Sequence, residues 1–444
     1  MSEPDHEDLV RGAQSVLVRN RRDEWTCPSV ALYPHQWLWD SCFTAIGIAR
    51  YDAPRAAAEL RALFRGQWAN GMVPHMIFAD GSRDVGSRRV WQSRKHPSAP
   101  RDVATSCITQ PPLIAIATER VARSLPEPTR RAFLAELYPK LVAYHSWCYD
   151  ERDLSGSGLV TLIHPWECGL DSTPPWMDAL HHMRLPLWLR TAERLHLARI
   201  LRSLRYDTRL LPAAERASDD DGLRMLAVAV HAKRYGFELR RIPRNDEAVL
   251  IEDLAFNAML AAANRSLEQI ASDLGEELPA PLAASMQRTR DALEELWHEP
   301  SGQYCSRHAV TGEPLVQPTV ATFLPLWAGT ASGEHADRLL ALLQRTDGYW
   351  PDFPVPSVPV DAPEFQEARY WKGPTWVNTN WAIVEGLRAY GADELADQLR
   401  RRTLELVAGA GFSEYFSALS GDGYGADDFS WTAALTIDLA LSVR

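Results

Sequence analysis

The stretch Trp431-Thr-Ala-Ala-Leu-Thr-Ile-Asp-Leu-Ala-Leu441 is apolar on nearly every side of the helix that its spacing predicts. Such a helix has no face to give to water, so protein must surround it. Residues 108–117 and 255–263 read the same way. Residues 130–141 and 394–406 differ, because Arg and Glu gather along one side, as on a surface helix. Apolar residues also recur at three- and four-residue steps over 39–50, 54–66, 103–124, 128–148, 186–204, 222–235, 249–265, 279–297, 334–345, 375–390, 392–408 and 430–442. No alternating run demands a large sheet. Enclosed helices alternating with one-faced helices are what an inner ring wrapped by an outer ring requires. The chain is therefore expected to be all-α, an α/α toroid. A two-layer bundle or an α-solenoid would compete, although no repeat of constant length supports the solenoid.

Length and composition bound the rest. A chain of 444 residues could hold more than one domain, but no flexible linker interrupts it, so one domain over 1–444 is expected. Three long connections, 71–102, 205–221 and 346–373, break the helical pattern. The last carries Pro351, Pro354, Pro356, Pro359 and Pro363 and cannot be helical throughout. The stretches 205–221 and 346–373 are expected to be loop or lid insertions. Asp219-Asp220-Asp221 reads as a solvated acidic turn rather than a magnesium site.

The 16 Trp are unusual, since each indole N–H needs a partner when buried, and they suggest a polar hollow with aromatic walls. A net charge of −11 excludes nucleic acid as principal partner. The acidic N-terminus lacks a secretory pattern, and no apolar run reaches the ~18 residues that span a bilayer. A cytoplasmic protein with no membrane partner is expected. The six cysteines form no CxxC pair and read as free thiols, with no metal site and no cofactor.

Four segments concentrate Trp, Tyr, carboxylates and amides beside predicted helix starts. They are Tyr33-Pro-His-Gln-Trp-Leu-Trp-Asp40, His164-Pro-Trp-Glu-Cys-Gly-Leu-Asp171, Tyr370-Trp-Lys-Gly-Pro-Thr-Trp-Val-Asn378, and Phe412-Ser-Glu-Tyr-Phe416 with Phe429-Ser-Trp431. In a toroid, alternate loops open on one end, so these segments would meet around a single funnel.

Those segments, with Gln67-Trp-Ala-Asn-Gly-Met-Val-Pro-His75, Thr109-Gln-Pro-Pro112 and Ser430-Trp-Thr-Ala-Ala434, resemble in order the glucosylglycerate and mannosylglycerate hydrolases of glycoside hydrolase family 63. The resemblance implies an (α/α)6 barrel and an inverting, exo-acting α-glycosidase on a small glucoside or mannoside. It makes Asp171 the general acid and Glu414 the general base. One carboxyl must keep its proton for the leaving oxygen while the other, ionised, activates water on the opposite face. Trp166 or Trp176 beside the acid would hold its proton on.

The same resemblance places Tyr33, Trp37, Trp39, Asp40, Gln110, Trp166, Glu167, Gly169, Arg216, Tyr370, Trp371, Trp376 and Trp431 against the substrate. Glu167 could instead brace its loop, and Thr109–Pro112 could simply open a helix. Lys372 reads as an exposed side chain. His35, His75 and His164 read as structural.

One departure bears on the substrate. Relatives acting on glucosylglycerate follow an Arg-Pro-Ser-Asp stretch with a Tyr, and this Arg and Tyr help hold the glycerate carboxylate. Here Arg216-Ala-Ser-Asp219 keeps the Arg, but Asp220-Asp-Gly-Leu223 brings acids and no Tyr. Glycerate glycosides are expected, with an uncharged glucoside, such as glucosylglycerol or a short glucobiose, as the alternative. A sugar isomerase or epimerase using His181 and His182 is the reading from another class, though neighbours on a helix point apart. A terpene-cyclase-like barrel would need an aspartate motif inside a helix.

Overall fold

The computed structural model describes residues 6–80, 90–186 and 210–442. Its helices are α1 (His6–Asn20), α2 (Leu38–Ala49), α3 (Ala53–Phe64), α4 (Ile114–Arg123), α5 (Thr129–Arg152), α6 (Pro174–His182), α7 (Asp219–Arg234), α8 (Leu254–Leu274), α9 (Ala280–Glu294), α10 (Leu324–Ala328), α11 (Gly333–Leu343), α12 (Val377–Ala389), α13 (Asp393–Ala410) and α14 (Ser430–Leu441). The architecture is mainly α, as the periodicity predicts.

Burial separates two kinds of helix. Every residue of α2 is buried, and so is every residue of α14 from Ser430 to Ala440. By contrast, α13 buries only Ala396, Leu399, Thr403, Leu404, Leu406 and Val407, at three- and four-residue steps. The enclosed helices neighbour one another: α2 packs on α4, α4 on α8, α8 on α10, α10 on α12, α12 on α14, and α14 on α2. The one-faced helices flank them, with α3 against α2, α5 against α4 and α8, α9 against α8, α13 against α12, and α1 against α14. Gly47 permits the α2–α14 approach. A Cβ there would lie 2.2 Å from the carbonyl oxygen of Ala434, a distance that backbone cannot concede.

Strands among the described residues are two or three residues long and serve as clips. Gln36–Trp37 pairs antiparallel with Met76–Ile77 just before α2. Tyr415–Phe416 pairs with Gly423–Tyr424, and Thr375 exchanges both backbone hydrogen bonds with Phe416 (2.8 and 3.0 Å). The chain entering α12 is thereby tied to the chain carrying Glu414.

Several boundaries differ from the sequence reading. The pattern over 103–124 becomes a helix only at Ile114, because Pro111 and Pro112 lack N–H groups and hold the preceding residue extended. The enclosed helix expected over 249–265 continues to Leu274, where Gly275 turns left-handed and ends it. Helices α1, α6 and α10 lie outside the ranges that apolar spacing predicts. The helix expected at 186–204 and the start of the 205–221 connection fall outside the described residues, as does the middle of 71–102. Asp219-Asp220-Asp221 is not a turn but the first turn of α7, capped by the Ser218 hydroxyl accepting from the Asp221 N–H (3.1 Å). Residues 346–373 contain no helix, as their prolines predict. All six cysteines are buried thiols. Among the described residues, no helix is long and apolar enough to cross a membrane.

Candidate active site

Glu414 lies between α13 and α14 and is fully buried. Three donors hold its carboxylate. Tyr33 Oη donates to Oε1 (2.9 Å), while the Ala426 N–H (3.0 Å) and Arg216 Nη1 (3.4 Å) donate to Oε2. Tyr33 Oη itself accepts from Arg216 Nη2 (2.6 Å), so its one proton is directed to Glu414. Every hydrogen in this arrangement therefore suits an ionised Glu414. Burial pushes its carboxyl up, while Arg216, the Ala426 N–H and Tyr33 pull it down. Burial is the largest of these effects and leaves the carboxyl above its ordinary value; the three donors favour the charged form but do not cancel that cost.

Asp171 sits at the end of the His164–Asp171 segment, three residues before α6, and is only half-buried. Its environment differs in the donors it supplies. Crowding by protein raises its carboxyl to about 8; Arg216 opposes this, the Glu414 charge adds to it, and a bond from its own backbone is a minor offset. At neutral pH Asp171 keeps its proton, whereas the three donors on Glu414 favour the charged form of that group.

Asp40, in the first turn of α2, is buried and held well above the usual carboxylate range, chiefly by desolvation, with the Glu414 and Asp171 charges adding. Asp171, Glu414 and Arg216 also act electrostatically on Tyr370, and Glu414 and Arg216 on Tyr33, so the segments read from the sequence converge on one place.

Arg216 is the hub of that place. Its guanidinium lies 4.3 Å from the Tyr370 ring centroid and 5.8 Å from that of Tyr33. Its segment is pinned on all sides. The Glu215 carbonyl accepts from the Tyr370 N–H (3.3 Å) and from Tyr415 Oη, Arg369 Nη1 donates to the Arg216 carbonyl (3.3 Å), and the Gly425 N–H donates to Glu215 Oε2 (2.9 Å). Glu215 and Arg369 gave no signal in the sequence, because these ties join segments some 150 to 210 residues apart.

The aromatic residues divide by exposure. Tyr33, Trp37, Trp166 and Tyr370 are half-buried and can face a ligand. Trp39, Trp371, Trp376 and Trp431 form the layer beneath: Trp371 and Trp376 stack at 3.7 Å between centroids and are fully buried, and Trp39 meets Trp431 edge-on at 5.2 Å. They back the wall rather than forming its surface. Trp176, expected near the acid, instead donates its indole N–H to Asp253 (2.9 Å) at the start of α8.

Other residues singled out in the sequence have partners within the protein. Glu167 is wholly buried and bidentate to Arg152 (2.8 and 3.0 Å), and it accepts from the Ile163 N–H (2.8 Å), so it braces the loop. Gly169 is glycine for a steric reason. Its φ is +79°, and a Cβ would lie 2.8 Å from the Trp39 ring. Gln110 is buried with Oε1 3.5 Å from the Trp39 N–H, bracing the start of α2. Lys372 is largely buried and pairs with Asp221 (3.2 Å). Asp221 also bonds His181 (3.2 Å), and Asp220 pairs with Arg224 (3.0 Å), so both acids that distinguish this stretch already have basic partners. Although His181, Asp220 and Asp221 lie at metal-ligand spacing, Lys372 and Arg224 supply positive charge there. His182 bonds the Asp178 carbonyl of its own helix, so the two histidines do not converge. His75 and His164 are buried and held neutral by desolvation.

A helical frame presenting two carboxyls in unlike hydrogen-bonding surroundings, with Tyr and Trp close by, suits a glycoside hydrolase. Residues 33–432 match the family described as mannosylglycerate hydrolase MGH1-like glycoside hydrolase domain. The chain belongs to this family, within glycoside hydrolase family 63, and is a glycoside hydrolase. It is 38% identical to the mannosylglycerate hydrolase of Thermus thermophilus, over 96% of this chain and 99% of that one. It is 30% identical to the glucosylglycerate hydrolase of Mycolicibacterium hassiacum, over 97% of each. The crystal structure of the family 63 mannosylglycerate hydrolase from Thermus thermophilus with Tris and D-glycerate superposes with a TM-score of 0.86 at 37% identity, covering 97% and 99% of the two chains. Neutral trehalase from Saccharomyces cerevisiae, 15% identical over 94% of this chain and 73% of its own, shares the fold at a TM-score of 0.59.

Proposed function

We propose that the protein hydrolyses the α-glycosidic bond of mannosylglycerate or glucosylglycerate with inversion, Asp171 acting as general acid and Glu414 as general base. The observation that carries this reading is the unequal surroundings of the two groups: Asp171 is raised to about 8, while Glu414 accepts from three donors that favour its charged form. Asp171 protonates the glycosidic oxygen as the bond to C1 breaks. Glu414 takes a proton from water attacking C1 on the opposite face, which inverts the anomeric centre. The half-exposed Tyr33, Trp37, Trp166 and Tyr370 enclose the sugar, and Asp40 accepts from or donates to its hydroxyls. Arg216 is placed to receive the glycerate carboxylate, and the pairing of Asp220 and Asp221 with Arg224, Lys372 and His181 removes the repulsion that favoured an uncharged aglycone.

The frame we infer is a single-domain (α/α)6 barrel. The succession α2, α4, α8, α10, α12, α14 and back to α2 supports it. The test is proton NMR of the released sugar, with mannosylglycerate, glucosylglycerate, glucosylglycerol and α-glucobioses assayed side by side. A β-anomer released first, from a glycerate glycoside, is expected. An α-anomer first, or turnover of neutral glucosides alone, would overturn the reading.

A further inference from the structure

Arg216 bonds directly to Glu414, the proposed base, and that contact has a cost for catalysis. Of the two oxygens of Glu414, Oε2 receives both Arg216 Nη1 (3.4 Å) and the Ala426 N–H (3.0 Å), which occupies its two acceptor positions. Oε1 receives Tyr33, whose hydroxyl is in turn held by Arg216 Nη2 (2.6 Å). One guanidinium thus acts on both oxygens, directly and through Tyr33, and an adjacent cation makes a carboxylate a weaker base. The four ties on the Glu215–Arg216 segment keep the guanidinium from swinging aside by loop movement. What can relieve Glu414 is a competing anion brought to Arg216.

We propose that the carboxylate of the leaving group is a trigger for the base: by drawing the Arg216 donors to itself, it frees Glu414 to accept a proton from water. An anionic aglycone then raises kcat as well as tightening binding, and a neutral aglycone of the same shape leaves Glu414 restrained. This rests on the reading that the substrates are glycerate glycosides.

The test separates the trigger from the bond that is cleaved. α-Mannosyl fluoride and α-glucosyl fluoride leave the aglycone position empty. Water oxygen bonds to C1, fluoride departs with the bonding pair, and the water proton passes to Glu414. Added D-glycerate is expected to raise kcat for the fluoride about fivefold or more, the low end of common couplings between two bound ligands, and glycerol is expected not to. In Arg216→Gln the ratio of rates with and without D-glycerate should fall to one. If D-glycerate only inhibits, or leaves kcat unchanged, the trigger is overturned even though hydrolysis of glycerate glycosides stands. Stimulation that survives in Arg216→Gln overturns it equally. If no glycerate glycoside is cleaved, the underlying reading fails and the trigger with it. The native enzyme alone decides the first comparison, whatever the stability of the variant.

Discussion

Asp171 and Glu414 belong to one site, yet their surroundings are built on opposite plans. Glu414 is the more deeply buried of the two, and three donors face it. Asp171 is half-exposed, and the hydrogen bond that favours its charged form comes from its own backbone. The group better shielded from water is therefore the one whose partners favour the anion. Burial alone does not assign acid and base; the count and direction of donors does. Glu167, four residues before Asp171, makes the same point from a third side. It is as buried as Glu414, but Arg152 grips it bidentately, so it serves the loop and not the chemistry.

The largest effects should come from erasing the contrast itself. Asp171→Asn and Glu414→Gln are each expected to lower kcat by about 10²-fold or more, the usual size of acid–base contributions, with near-native circular dichroism. Near-normal turnover in either removes that residue from the mechanism. Arg152→Met should leave Glu167 buried and unpaired. A loss of about 3–5 kcal/mol in urea unfolding is expected, and an unchanged midpoint would show that the pair is not structural. Tyr33→Phe removes one of the three donors on Glu414 and should move the acidic limb of the kcat/KM profile to higher pH, by about 0.4–1 unit for the 0.5–1.5 kcal/mol of one hydrogen bond. No change would mean that Tyr33 does not tune the base. The last effect is a pH dependence of stability. The native Asp171 carboxyl lies above its ordinary 3.8, so the folded state binds the extra proton and loses stability as pH rises from 3.8 toward 8. Asp171→Asn, neutral at every pH, should melt above the native chain at pH 8 and close to it at pH 4. The opposite order would contradict the raised carboxyl.

The helical frame was largely legible because burial on all sides leaves a local signature, as in α14 and the first half of α8. The misplaced start of α4 came from following apolar spacing through Pro111 and Pro112, where backbone chemistry overrides side-chain pattern. The short α10 offered too few turns to show a period. At the site, the sequence identified which residues gather but not which of them touch a ligand. Trp371 and Trp376 look the same in sequence as half-exposed Trp37 and Trp166, and only packing separates wall from backing. The role of Glu167 depended on Arg152, and the pairing of Lys372 with Asp221 spans 151 residues. Charge runs such as Asp219–Asp221 cannot reveal partners supplied by distant loops.

The most direct measurement is a titration of the two carboxyls in the free enzyme, by NMR with carboxyl-labelled aspartate and glutamate. Asp171→Asn and Glu414→Gln would assign the signals. Asp171 should release its proton near pH 8, and Glu414 should release its own at a clearly lower pH. If Glu414 holds its proton longer than Asp171, the assignment of acid and base is reversed and the account fails.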